Sequence, residues 1–437
     1  VENLKEEIIF KPLKCTSLKD LANSFNLAFS DYEVAVNMSC SSLKKMMEIR
    51  SVDLKFSYGA FSKNLKNKTV QNYKMPVSFI LCGVRKNFQI IKENKKDKNN
   101  KNEKKGRTSG RSGKVAYDSG TGTIPAFRRL GIGKNLLKYT IEKLQKAHFD
   151  AFLLEVLENN QKAIQLYESQ GFTRTRKFLC YNQKRNKIIE TLTGCDLNIS
   201  ISYEIVDDAN NNIKSDNKRY INCKINKSTL ANADKSKSNK YANMHYSKNV
   251  NDNYDSDEND TDKFESDEFI DKKDPYGYIK SDIQVKKIRS RKGYRKLDFD
   301  DLEYFIPSWQ NSSQSILNNF ENIYINVLLY KEQIIGYGTI NQKNGDIQQV
   351  GISKKFRNSD REMFVNATSK ENNSGVDRKF SHIDLFKIII LDLARNCVSD
   401  SLSFLNVEES IVLNEFLRIC GFNNFINQYE MIRILKD

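Results

Sequence analysis

Residues 114–146 constrain this chain more than any other stretch. KVAYDSGTGTI alternates like a strand, and PAFRRLGIG follows before a helix opens. Ile132, Leu136, Leu137, Ile141 and Leu144 fall on one helical face, which must be buried. A strand that turns this sharply into a helix leaves the helix's first N–H groups without intrahelical partners. Such an end suits a phosphate-like anion. Arg128, Arg129 and Lys134 add positive charge there, and Gly131 and Gly133 allow close backbone approach. Taken alone, the segment reads equally as a tight turn with a solvated basic edge.

A second segment follows at a fixed distance. It is Phe152–Val156 (FLLEV), then Asn160-x-x-Ala163-x-x-Leu166-Tyr167-x-x-x-Gly171-Phe172. The R-x-x-G-x-G pattern at 128–133 resembles the acyl-CoA pyrophosphate loop of the GNAT N-acetyltransferases. The second segment resembles that family's fifth strand, fourth helix and closing glycine–aromatic pair. FSDYEV, DLKFSYGAF, AYDSGTGTIPAFR, PSWQNS and QYEM further resemble the bacterial-type enzymes with two GNAT units in tandem. The expected fold is therefore α/β, an α+β mixed sheet, in two tandem GNAT domains.

The resemblance implies acetyl-CoA as acyl-donor co-substrate, a primary amine as acceptor, direct attack in a ternary complex, and no metal. Strands four and five should splay, with the pantetheine arm on the backbone of about Thr121–Ile124. The implied cofactor-binding residues are Thr123, Ile124, Arg128, Arg129, Leu130, Gly131, Ile132, Gly133, Lys134 and Asn160. Asn160 reads more simply as the N-cap of the next helix. Tyr167 corresponds to the acid that protonates the departing thiolate, or it merely packs. Glu155 and Asp118 are the candidate bases, and each could equally be structural. Trp309, the one tryptophan, and its PSWQNS turn read as a wall of the acceptor side or as core packing.

The second half of the chain repeats the first. Phe127-Arg128 corresponds to Phe356-Arg357, and Gly171-Phe172 to Gly421-Phe422. The copies part where chemistry would lie: Gly131 aligns with Asp360, Gly133 with Glu362, Tyr167 with Leu417, and Asn160 with Ser410. Carboxylates in that loop would repel a pyrophosphate, so the second copy is expected to be degenerate. The expected organisation is a catalytic domain at 1–182, a charged low-complexity linker at 183–282 and a degenerate domain at 283–437. An apolar island at 197–206 interrupts the linker, and a polar insert is expected at 365–380.

Residues 92–114 hold ten Lys or Arg against three acidic residues, without periodicity. Such a stretch cannot bury a core, and 92–113 is expected to be a disordered basic insert. The net charge of +16 would suit a nucleic-acid partner. However, no aromatics are interleaved in the insert for base stacking, so the reading is against nucleic acid. No run of 18 apolar residues is present, so no membrane association is expected. The eight cysteines form no C-x-x-C pair and read as buried free thiols of a reducing, cytoplasmic compartment. The chain begins at Val1, which leaves an N-terminal targeting segment open. The three histidines are too scattered for a metal site. The competing readings are a catalytically inactive acyl-CoA sensor or scaffold, and a nucleic-acid-associated protein acting through its basic inserts. The acceptor, a small molecule or a protein, and the oligomeric state do not follow from the residues.

Overall fold

The computed structural model describes residues 8–31, 37–62, 75–90, 111–193, 197–205, 219–225, 283–357 and 382–436. The chain divides into two compact units. The larger comprises residues 1–192, 286–328 and 334–437, and the smaller comprises 193–285 and 329–333.

The larger unit opens with β1 (Ile8–Pro12), α1 (Leu18–Ala28) and α2 (Cys40–Ile49). Ser17 starts α1 by accepting from the Asp20 N–H at 3.0 Å, and Ser39 does the same for α2 through Ser42. β2 (Tyr58–Ser62), β3 (Ser78–Ile90) and β4 (Arg111–Thr123) follow, then α3 (Ile132–Lys146), β5 (Ala151–Leu157), α4 (Gln161–Ser169) and β6 (Thr173–Lys184). In this order 152–156 falls on the fifth strand and the segment after Asn160 on the fourth helix, as the resemblance implied.

The basic insert is shorter than expected at its end. Residues 111–113 are strand, since Ile90 pairs with Arg111 and Phe88 with Gly113. Residues 92–110 lie outside the described residues. The proposed linker also starts too early. Residues 185–193 form α5 (Arg185–Thr193), which buries Ile188 and Leu192, an i, i+4 pair hidden among polar neighbours.

The smaller unit contains β7 (Leu197–Ile205) and β8 (Arg219–Ile225), which pair antiparallel, and residues 283–285 of β9 (Ile283–Lys287), parallel to β7. The apolar island is thus a strand, and β8 is a strand within a stretch expected to be tether.

In the larger unit the chain resumes with three short helices, α6 (Arg291–Arg295), α7 (Phe299–Leu302) and α8 (Ser313–Asn318). Then come β10 (Ile323–Tyr330), β11 (Gln333–Asn341), β12 (Asp346–Ile352), α9 (His382–Arg395), β13 (Ser401–Glu408), α10 (Ile411–Ile419) and β14 (Asn423–Ile434). The order β2-β3-β4-α3-β5-α4-β6 therefore recurs as β10-β11-β12-α9-β13-α10-β14. The turns after α4 and α10 are alike in detail. Gly171 and Gly421 both take a left-handed φ, near 78° and 86°. The next residue's N–H returns to Tyr167 O at 3.1 Å in one and to Leu417 O at 3.0 Å in the other.

The sheet of this unit runs β1-β2-β3-β4-β5-β14-β6-β13-β12-β11-β10. The final strands are exchanged. β14 lies between β5 and β6, pairing Glu430 with Glu155 and with Arg176. β6 in turn pairs with β13, Phe404 opposite Tyr181. Each half closes on the other's last strand, so neither presents an open edge at the join. The exchange is fastened by Arg176, which forks onto Glu430 at 2.6 and 2.8 Å with both side chains buried.

Among the described cysteines, Cys82, Cys180, Cys397 and Cys420 are buried free thiols. Cys15 and Cys40 are free but exposed, and Cys195 lies outside the described residues. No helix among the described residues is long and apolar enough to cross a membrane.

Candidate active site

β4 and β5 are parallel, but they pair only at Val115–Ala151, Ala116–Phe152 and Tyr117–Leu153. Both strands run on beyond that point without pairing to each other. β4 also carries a bulge there: Cys82 pairs with Asp118 and Leu81 with Gly120, leaving Ser119 as the extra residue. The result is the expected parting of strands, with Asp118 and Glu155 just beyond the last pair.

Alternation sends neighbouring residues to opposite faces. Ala116, Phe152, Leu154 and Val156 pack with α3 and α4, including Tyr167. Val115, Tyr117 and Leu153 pack with Trp309 on the other face. Asp118 belongs to the first face. Its carboxylate accepts from Gly120 N at 3.0 Å, from Thr121 Oγ1 at 2.5 Å and from the Tyr167 hydroxyl. Burial nevertheless pushes its pKa up to about 6, with those donors opposing the rise. Tyr167 and Asp118, two of the three expected catalytic residues, are therefore in direct contact.

Glu155 belongs to the second face. Its Oε2 accepts from Gln310 Nε2 at 2.7 Å and from Asn406 Nδ2 at 2.8 Å. Its Oε1 is shut off from solvent and has no hydrogen-bond partner. Burial raises its pKa, Gln310 works against that, and the Glu430 carboxylate adds to it. Ser119 Oγ, on the bulge, is the other buried polar atom at the parting without a partner. Two orphaned polar atoms flanking the gap fit a site built to receive a polar co-substrate.

The turn from β4 to α3 is where an anion site was expected. Gly131 is the N-cap of α3 at φ 76°, and no side chain caps the helix. The first turn carries no acidic residue, so its N–H groups point outward uncountered. Gly133 sits close under Thr123, whose Oγ1 would lie 3.3 Å from an added Cβ. Arg129, Leu130 and Lys134 are exposed at this turn, Arg129 at a positive φ of 61°. Ile132 is buried in the core, so only its N–H can serve the turn. Thr123 Oγ1 bonds Ser78 Oγ at 2.8 Å, and Ile124 N donates to Val77 O at 3.0 Å.

Arg128 is engaged elsewhere. Its Nε donates to Thr123 O at 3.0 Å, and its two terminal nitrogens donate to Ala28 O at 2.7 Å and to the Asp31 carboxylate at 2.5 and 2.9 Å. Arg357 repeats this clamp: Nε donates to Ile352 O at 2.7 Å, and Nη2 to Leu302 O at 2.6 Å. Arginine persists in both halves because it ties the strand end to the end of a preceding helix. Asn160 caps α4, accepting from Ala163 N at 3.2 Å, whereas Ser410 makes no side-chain cap to α10.

Trp309 is wholly buried, stacked 5.0 Å from Tyr117 with planes 8° apart and under the Arg85 guanidinium. It packs the join and does not line a site. The next residue does the reaching: Gln310 touches Tyr117, Glu155 and Arg50. A cavity of about 800 Å³ opens beside it, lined by Arg50, Gln310, Asn311, Asn406 and residues of α2 and the β11–β12 turn. Sequence reasoning missed Gln310, Asn406 and Arg50. Aligning FLLEV with SFLNV at 403–407 would have placed Asn406 at the position of Glu155. In the second half, residues 358–381 separate Arg357 from α9 and lie outside the described residues, as do Asp360 and Glu362.

The sequence model of the acetyltransferase (GNAT) family matches residues 94–172. N-alpha-acetyltransferase 30 of Dictyostelium discoideum is 46% identical over 55 residues, 13% of this chain and 30% of that protein. The Saccharomyces cerevisiae protein of the same name is 35% identical over 75 residues, 17% of this chain and 39% of that protein. The chain thus spans well under half the length of the curated relatives it matches. A solved tandem GNAT protein from the clavulanic acid biosynthesis pathway is 9% identical, with 99% of each chain covered and a TM-score of 0.47. The matched residues 94–172 take in the parted strands, the uncapped α3 turn and Tyr167, so it is this part of the chain that is similar to the GNAT acetyltransferases.

Proposed function

We propose that the N-terminal half, residues 1–182, transfers an acetyl group from acetyl-CoA to a primary amine. The observation that carries this is the parting of β4 and β5, with Tyr167 and Asp118 on one face, Glu155 on the other, and an uncapped helix start beside them. Acetyl-CoA supplies the activated thioester. The α3 turn, with Arg129 and Lys134, binds its phosphates, and Arg128 holds that turn in place. Glu155, poised by burial, takes the proton from the attacking amine through its free Oε1. Tyr167, whose one O–H donates to Asp118 in the free protein, turns it to the departing thiolate.

The two curated relatives are named N-alpha-acetyltransferases, which favours the amino terminus of a protein as acceptor. The C-terminal half lacks counterparts of Tyr167 and Glu155, having Leu417 and Asn406 there, and serves structure and the acceptor side. Calorimetric titration of acetyl-CoA into the wild type and Gly131→Asp tests the reading. One-to-one binding that Gly131→Asp loses is expected. Two-to-one binding would restore a cofactor site to the second half, and no binding would refute the proposal. Thiol release with short peptides bearing free amino termini then reports turnover, and Tyr167→Phe should lower it by about 10²-fold. An acyl-CoA sensor would bind equally well and show no such loss.

A further inference from the structure

We propose that Gln310 and Asn406, contributed by the C-terminal half, are positioning residues for Glu155, so that one half supplies the base and the other sets it. This rests on Glu155 being the base as proposed above. Both residues donate to the same carboxylate oxygen, Oε2, at 2.7 and 2.8 Å, which leaves Oε1 as the only one free to accept a proton.

Each donor is itself held. Gln310 presents its N–H₂ because its Oε1 accepts from Arg50 Nη2 at 2.7 Å, which fixes which way the amide faces. Arg50 is pinned in turn by donating to Ser119 O, on the β4 bulge, at 2.7 Å. The second N–H of Gln310 meets the Tyr117 hydroxyl at 3.1 Å. Asn406 is buried at an irregularity of β13, takes a left-handed φ of 56° that Asn adopts more readily than most residues, and accepts at Oδ1 from Gln428 at 3.0 Å. Both residues also line the 800 Å³ cavity, so a ligand entering there meets them before Glu155.

The other titratable or charged groups facing Glu155 are Tyr117 on β4, Arg50 after α2, Cys180 on β6, and Glu430 on β14. Glu430 is neutralised by Arg176 on β6, which also reaches Glu408 on β13. Burial raises the Glu155 pKa, and the Gln310 donor, Arg50 and the Tyr117 hydroxyl oppose that rise, with Asn406 holding the same oxygen at 2.8 Å.

The test is the titration of Glu155 in the whole protein, followed by carboxyl ¹³C signals of glutamate-labelled protein and assigned by the signal lost in Glu155→Gln. Gln310→Met keeps the bulk and removes the donor, and should move the midpoint up by about one pH unit, a tenfold change in ionisation. Gln310→Glu keeps the shape and puts a carboxylate against Oε2, and should move it further. Asn406→Leu should act like Gln310→Met. A packing role predicts the reverse order, with the isosteric Gln310→Glu nearest the wild type. That order, or an unmoved midpoint in Gln310→Met, overturns the proposal. Full turnover in Glu155→Gln would instead overturn the base assignment, so the two failures are read apart.

Discussion

Asp118 offers a sharp test because its burial and its hydrogen bonds pull in opposite directions. Its carboxylate accepts three hydrogen bonds, yet burial lifts its pKa from 3.8 to about 6. Between those two values the folded protein binds the proton that the unfolded chain has lost. Stability must therefore fall as pH rises from about 4 to 6, and the loss is complete above 6. A rise of that size corresponds to ~3 kcal/mol. The Asp118→Asn protein has no charge to bury, so it escapes the loss. It keeps one acceptor oxygen, but the amide nitrogen cannot accept from Thr121, at a cost of about 1 kcal/mol. Asp118→Asn should thus be about 1 kcal/mol less stable than the wild type at pH 3 and about 2 kcal/mol more stable at pH 8. Urea midpoints measured across that range should cross at about pH 4.5. A difference that does not change with pH would refute the account of Asp118 as a carboxylate buried against its own preference. If the crossing is found and turnover falls as well, the buried charge is retained for orienting Tyr167 and not for holding the fold.

The clamp reading of the two arginines predicts that Arg128→Met and Arg357→Met each lose about 2 kcal/mol of stability through hydrogen bonds to carbonyl oxygens, the half-exposed pair with Asp31 adding little. Arg128→Met should weaken acetyl-CoA binding less than about threefold by calorimetry, and a loss of tenfold or more would make it a phosphate ligand after all. Breaking the exchange-strand pair with Glu430→Gln should cost about 3–5 kcal/mol in chemical denaturation, while Arg176→Met with Glu430→Met together should recover most of it. Equal losses in the single and double variants would place the pair's role in shape and not in charge.

Much of the fold was legible because its signals are local. The 3.6-residue spacing of Ile132, Leu136, Leu137, Ile141 and Leu144 gave α3, and all five are buried. What stayed hidden was short or non-local. α5 shows only two buried residues in nine, and α6, α7 and α8 are too short to establish a period. The strand exchange has no sequence signature, since β6 and β14 read the same whichever half they close. Residue roles divided along the same line. Asn160 as an N-cap follows from a local rule, and the Gly131 turn follows from a local motif. Arg128 shows the other case: charge near a glycine turn suggests an anion, and only the tertiary structure brings Ala28 and Asp31 to it.

The repeat itself holds the clue that sequence reading underused. A duplicated fold puts equivalent residues at equivalent places, and the exchange then sets the two copies side by side. Glu155 on β5 and Asn406 on β13 are such a pair, and the Asn406 amide now donates to the Glu155 carboxylate at 2.8 Å. Had the second copy kept a glutamate there, two carboxylates would meet in a buried space, and one would have to stay protonated. The amide at position 406 therefore spares Glu155 a second carboxylate against Oε2 and puts a donor there in its place.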